Sequence, residues 1–157
     1  MIIGLISDTH SLMRQEALDA LRGSDLIIHA GDVGTPAILE QLRTIAPVVA
    51  VRGNIDKDRW ASVLPMTEVV EAGTALLYVL HDIQQLDLDP AVSGFDIVVS
   101  GHSHKPGRTE RSDVLYLNPG SAGPRRLQLP ITIARLDLGR SPWDVEFIDV
   151  SPLPTRG

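Results

Sequence analysis

The chain is built from short apolar runs, and in its first half these alternate with amphipathic segments. That alternation calls for strand-helix-strand units around a buried sheet. Ile2 to Ile6, Leu26 to Ala30 and Val48 to Val51 read as strands. Between them, Arg14 to Arg22 places Ala17, Leu18 and Leu21 on one helical face, and Gly23 follows as a C-terminal cap. Thr35 and Pro36 open a second helix, with proline at its first position and Ile38, Leu39 and Leu42 turned inward. Beyond residue 65, Thr67 to Val70, Leu76 to Leu80, Ile97 to Ser100, Leu115 to Leu117, Ile131 to Leu136 and Val145 to Val150 are strand-like, with little helix between. The expectation is a layered α/β sandwich in one domain over residues 1–157, a length suited to a single core, with Ser151 to Gly157 as a loose tail.

Composition narrows the chemistry. There is no cysteine, so any metal must be held by nitrogen and oxygen ligands rather than thiolates. Twenty acidic against 14 basic residues give a net charge of -6, and only 4% of residues are aromatic, which argues against nucleic acid as a partner. The opening run has no basic leader and no run approaches a membrane span, so a soluble cytoplasmic protein with no membrane partner is expected.

The informative feature is where the polar residues fall. Asp8 and His10 follow the first strand, Asp32 the second and Asn54 the third; His81 follows Leu76 to Leu80, and Gly101-His102-Ser103-His104 follows Ile97 to Ser100. In open α/β sheets, ligands bind beyond the carboxyl ends of strands, so one edge can gather all seven side chains into a single cleft. Gly31, Gly53 and Gly101 each precede a candidate ligand and suit tight turns behind it. Each fragment alone has a plain reading. Asp-Thr-His is often a cap, Gly-Asp and Gly-Asn are common turns, and a histidine after an apolar strand is often a satisfied core residue. The ordered ensemble is what points to metal. His29, inside the second strand, stands outside the set and reads as a core residue or a support behind the ligands.

In these blocks the sequence resembles the calcineurin-like metallophosphoesterase superfamily, whose ordered signature is Asp-x-His, Gly-Asp, Gly-Asn, His and Gly-His-x-His. The compact length, Val51-Arg52-Gly53-Asn54-Ile55-Asp56 and Leu117-Asn118-Pro119-Gly120-Ser121 look like its YfcE-like small phosphodiesterase branch. The resemblance covers residues 2 to about 150. It implies an α/β/β/α sandwich with one ion on Asp8, His10, Asp32 and His104 and a second on Asp32, Asn54, His81 and His102. Asp32 would bridge the ions, and Asp32, Asn54 and His102 would count as catalytic. The implied cofactors are two divalent transition metal ions, with manganese favoured over iron, zinc, cobalt and nickel.

That ligand set suits phosphoryl chemistry. Two dications about 4 Å apart repel strongly, and a shared carboxylate offsets that repulsion. Such a site makes a bridging hydroxide for attack on phosphorus and stays cationic overall, because Asp8 and Asp32 are its only anions. A small phosphodiester is therefore the expected substrate, and a homo-oligomer is left open. Lys105, Arg108, Arg125 and Arg126 are candidate clamps for phosphate oxygens. Asp56 is either a support behind the ligands or a cap for the segment that follows, and Asn118 to Ser121 reads as a structural turn.

Two departures from the family pattern stand out. Ile55 occupies the position where many relatives carry a histidine thought to protonate the leaving oxygen, and Asp82 follows His81 where relatives often have glycine. The rival readings are a non-catalytic interaction scaffold, known for members of this fold that have lost ligands, and a nuclease. The sequence shows no closing glycine for a serine-hydrolase elbow after Ser103 and no phosphate-binding loop fingerprint.

Overall fold

The computed structural model describes residues 1–152; the end of the expected tail, 153–157, lies outside the described residues. The first half follows the expected alternation: β1 (Ile2–Ile6), α1 (Gln15–Leu21), β2 (Leu26–His29), α2 (Pro36–Arg43) and β3 (Val48–Ala50). The second half supplies β4 (Thr67–Ala72), β5 (Ala75–Leu80), β6 (Ile97–Val99), β7 (Gly107–Arg111), β8 (Val114–Asn118), β9 (Thr132–Asp137) and β10 (Asp144–Asp149).

These strands form two five-stranded sheets, ordered β10-β9-β1-β2-β3 and β4-β5-β6-β8-β7. In the first, β1, β2 and β3 run parallel, and in the second, β5, β6 and β8 do so. Antiparallel strands flank both trios, with β9 on β1, β4 on β5 and β7 on β8.

Alternation along the strands sorts side chains between two cores. Ile3 and Leu5 of β1 and Ile28 of β2 pack between the sheets against Leu77, Val79, Ile97 and Val99. Ile6 and Ile27 instead face α1 and α2, meeting Ala17, Leu21, Ile38, Leu39 and Leu42. Each fully buried Leu or Ile contributes about 1.5–3 kcal/mol, so a one-residue slip in β1 would exchange its two packed faces at great cost. Gly4 sits in the middle of β1 because a Cβ there would lie 2.6 Å from the Leu21 side chain, so its absence lets α1 settle close to the sheet. Gly23 takes φ +86° just past α1, as its capping role requires, and Arg135 of β9 donates to the Ala20 and Arg22 carbonyls at 2.8 and 2.7 Å.

The layered α/β sandwich is as expected, with one detail in its outer layer. The free face of the second sheet is covered by Ile83, Leu86, Leu88 and Phe95 from a 3₁₀ turn (Ile83–Gln85) and the loop after it. β7 had no strand signal because Gly107-Arg108-Thr109-Glu110-Arg111 contains no apolar residue. It is an edge strand paired with β8, reinforced where the Arg111 guanidinium lies 4.5 Å from the centre of the Tyr116 ring. Among the described residues, no helix is long and apolar enough to cross a membrane.

Candidate metal centre

The six parallel strands of the two sheets bring their carboxyl ends to one edge, and all seven predicted ligands sit on the loops just beyond them. Five of the seven leave their strands with left-handed backbone: Asp8 (φ 56°), His10 (46°), Asp32 (57°), His102 (70°) and His104 (62°). Such conformations cost a non-glycine residue on the order of 1 kcal/mol or more each, and a fold retains a cluster of them where side chains must be aimed. The three glycines behind the ligands divide by role. Gly31 has φ +100°, and a Cβ on it would lie 2.7 Å from His81 Nδ1. Gly53 and Gly101 open turns, their carbonyls accepting from the Asp56 and Ser103 N–H groups at 3.2 and 2.8 Å, without left-handed backbone; they are glycine because a Cβ would collide with the Asp32 side chain and with Ser7 Oγ, respectively.

The side chains fall into two adjoining groups, Asp8-His10-His104 and Asp32-His81-His102, within each of which the donor atoms lie no more than 4.8 Å apart. Asp32 Oδ2 joins them, 3.4 Å from His10 Nε2 and 3.3 Å from His81 Nε2. Asp8 Oδ1 lies 3.3 Å from His104 Nε2. Asn54 Oδ1 faces His81 Nε2 at 3.0 Å and His102 Nδ1 at 3.2 Å.

Two features show that this donor set fits cations. His81 Nδ1 is 2.7 Å from the Ala30 carbonyl and so must carry the ring proton, which leaves the neutral ring's Nε2 lone pair facing the Asn54 and Asp32 oxygens. Acceptors pointed at one another call for a positive charge between them. In addition, buried Asp8 Oδ1 and His10 Nε2 have no hydrogen-bond partner, although an unpaired buried polar atom is costly.

The charge states agree. Burial opposes ionisation of Asp8, yet the neighbouring His10 and His104 rings and the Ser7 hydroxyl outweigh it and hold its carboxyl well below the usual range. Asp32 is likewise lowered, because His81 and the Ile55 N–H outweigh burial. The Asp8 carboxylate raises His10, and at His81 the attraction of Asp32 and Asp8 overcomes burial and raises it too.

Around this set lies a supporting shell. Ser7 Oγ donates to Asp8 Oδ2 at 2.6 Å and the His102 N–H donates to the same oxygen at 3.1 Å, which aims Oδ1 inward. His29 is fully buried and pushed down to about 4 by burial, so it stays neutral. Its Nδ1 accepts from the Gly31 N–H, which places the proton on Nε2, and Nε2 donates to Thr9 Oγ1 at 3.0 Å. His29 therefore ties the Asp8-Thr9-His10 turn to the Gly31-Asp32 turn.

Asp56 settles between its two readings. It makes no cap to the 3₁₀ turn (Arg59–Val63) after it. Its carboxylate instead accepts from the Val33, Gly34 and Gly53 N–H groups at 3.1, 3.0 and 2.9 Å, pinning the Asp32 and Asn54 loops together. We expect Asp56→Ala to strand three donors, cost roughly 3 kcal/mol of stability and weaken metal binding by about 10–100-fold. Thermal unfolding and metal titration check it, and unchanged values in both would refute the role.

Sequence reasoning passed over Ser7; the turn it expected at Asn118 to Ser121 is present, closed by the Gly120 N–H on Asn118 Oδ1 at 2.9 Å, and it also braces the site. Asn118 Nδ2 in fact donates to the Gly101 carbonyl and Ser103 Oγ at 3.0 and 3.1 Å, and Ser121 Oγ donates to the Asp8 carbonyl. A strand-end position, shared with the ligands themselves, was the available signal. Of the four candidate clamps, Arg125 and Arg126 line a cavity of about 240 Å³ together with His10 and His104. Lys105 borders a different cavity beside Ser103, and Arg108 faces one at the opposite end of the sandwich, near Trp143.

The description "Calcineurin-like phosphoesterase superfamily domain" matches residues 1–141, and the chain belongs to that superfamily. A probable metallophosphoesterase of Methanothermobacter thermautotrophicus is 37% identical over 150 residues, 87% of this chain and 87% of the relative. Phosphodiesterase YfcE of Escherichia coli K12 is 27% identical over 107 residues, 64% of this chain and 58% of that one, in line with the expected branch. Among solved structures, an archaeal phosphodiesterase superposes with TM-score 0.79 at 25% identity, covering 94% of this chain and 100% of its own. A mutant Vps29 from Entamoeba histolytica shares the fold, with TM-score 0.73 at 24% identity and coverage of 95% and 99%.

Proposed function

We propose that this protein is a dinuclear metal-dependent phosphoesterase that hydrolyses small phosphodiesters in the cytoplasm. The observation that carries the proposal is the position of Asp32 Oδ2, within 3.4 Å of a histidine from each of the two ligand groups. One ion would rest on Asp8, His10, Asp32 and His104 and the other on Asp32, Asn54, His81 and His102. Two such ions supply an activated water and offset the charge of the phosphoryl group. The chain's own task is positioning: the Ala30 carbonyl fixes the His81 tautomer, and Ser7 and the His102 N–H fix the Asp8 rotamer. Asn54 and the imidazoles are neutral, so Asp8 and Asp32 leave the loaded site cationic and attractive to phosphate in an otherwise acidic chain. Mixed imidazole, carboxylate and amide ligation admits manganese, iron, zinc, cobalt or nickel. Manganese is our first choice, on family resemblance.

Against the rival scaffold reading stands the complete set of seven candidate ligands. Protein stripped with a chelator is expected to lose hydrolysis of bis-p-nitrophenyl phosphate and to regain it with manganese, binding close to two ions. Because His10 and His81 are raised, protons occupy the ligand nitrogens somewhat above the ordinary histidine range near pH 6.5, so metal affinity should climb as pH rises through and beyond that value. Elemental analysis finding no metal after reconstitution, with activity indifferent to chelator, would sink the proposal. Metal uptake without any turnover would favour the scaffold.

A further inference from the structure

The ligand set is flanked by two cavities of opposite character. On the side of His10 and His104, the cavity of about 240 Å³ is closed by Pro124, Arg125 and Arg126, with no carboxylate in its wall. Both arginines are exposed, and Arg125 is engaged through one terminal nitrogen, 3.3 Å from Ser151 Oγ. The wall includes His104, which is 6% exposed and keeps its Nδ1 without a hydrogen-bond partner. On the side of Asn54, His81 and His102 lies a cavity of about 340 Å³, with Met66, Tyr78 and Leu80 as apolar wall and Asp82 and Asp87 as its carboxylates. Arg52 is the cation there, and its Nε is turned to Met66 Sδ at 3.3 Å. Asp82 directs Oδ1 to the Gln84 N–H and leaves Oδ2 3.8 Å from His102 Nε2.

Resting on the phosphodiesterase reading, we infer that these cavities form a charge-ordered pair of substituent sites. Arg125 and Arg126 hold an anionic substituent of the diester, and the Asp82-Asp87 cavity holds an amphipathic alcohol that is cationic or uncharged. The physical reason is the sign difference across the cleft. Two guanidiniums offer planar donors to a carboxylate or a second phosphate. Two carboxylates over an apolar wall attract an ammonium by charge or accept from a hydroxyl group, leave methylene surface against Met66 and Leu80, and repel a second anion. A diester with unlike halves is thereby bound in one orientation, and a diester with two anionic halves is disfavoured. The substrate class is a phosphodiester joining an acid-bearing alcohol to an amino or polyhydroxy alcohol.

The test uses manganese-loaded protein and two monoester probes whose substituents carry opposite charge, phosphorylcholine and phosphoglycolate, with binding measured by calorimetry and by competition against bis-p-nitrophenyl phosphate. The paired variants Asp82→Asn/Asp87→Asn are expected to weaken phosphorylcholine by about five- to tenfold and to leave phosphoglycolate unchanged or tighter. Arg125→Ala/Arg126→Ala should do the reverse. Asp87→Asn alone, on an exposed side chain, guards against a local effect at the Asp82 turn and should shift phosphorylcholine in the same direction. Equal effects of each variant on both probes, or none, would overturn the inference. Failure of the wild type to hydrolyse any diester would instead refute the phosphodiesterase reading, and calorimetry would still report the charge ordering.

Discussion

Asp32→Asn is expected to abolish turnover, with a loss on the order of a thousandfold or more, and to empty both metal positions rather than one. Supporting partners behind a metal ligand are worth about 10–100-fold each, and a shared anionic ligand should exceed that. Asp32 Oδ2 stands between His10 Nε2 and His81 Nε2, while Oδ1 accepts the Ile55 N–H at 3.0 Å. Asparagine keeps the size and can keep that backbone bond, but it replaces the anionic oxygen by a neutral amide group. The repulsion between two dications, many kcal/mol at about 4 Å, then loses the anion that offsets it. Asp8→Asn is expected to be milder in stoichiometry, retaining about one ion, because Asp8 belongs to one group alone. Elemental analysis of the two variants beside the wild type decides the matter. An Asp32→Asn protein that holds both ions at wild-type affinity would mean that another residue is the bridge.

The candidate site was legible because its candidate ligands obey a positional rule: apolar strand, tight exit, polar side chain. The rule works where burial of the strand is visible in the sequence, as in Ile2 to Ile6 or Leu76 to Leu80, and where the donor residue is of a distinctive type. It fails for the parts that hold the ligands. Ser7 and Thr9 are small hydroxyl residues found in any loop, and their partners Asp8 and His29 are one and 20 positions away. Asp56 had two plausible local readings, and only the approach of the Val33-Gly34 backbone across 22 and 23 residues selects between them. The glycines were located correctly but for a partial reason. A turn preference can be read locally, whereas the contact of Gly53 with Asp32 or of Gly101 with Ser7 is made by the packing of separate strands. β7 was invisible for the opposite cause: an exposed edge strand buries no pattern, so its pairing with β8 leaves no periodic trace. Fold class and candidate ligands thus depend on local signals repeated along the chain, whereas most of the support depends on contacts between distant segments.

Ile55 sets the second large effect. The protein is expected to hydrolyse bis-p-nitrophenyl phosphate far better than p-nitrophenyl phosphate, by about a hundredfold or more in kcat/KM, since general-acid help is worth about a hundred- to ten-thousandfold. The Ile55 side chain is 41% exposed and carries no proton, and its backbone N–H, bonded to Asp32 Oδ1, places the residue at the rim of the ligand set. Departure of the leaving group therefore depends on its own stability or on a proton from water. A monoester dianion also presents more negative charge to the attacking oxygen than a diester does. Asp56, the nearest carboxyl in sequence, cannot make up the deficit, because three backbone N–H groups already occupy its oxygens within a buried pocket. Ile55→His should raise kcat/KM on the monoester by about tenfold or more, with a new dependence on pH near 6.5, while changing the activated diester little, because p-nitrophenolate departs readily unaided. Wild-type activity on the monoester equal to that on the diester would refute the preference.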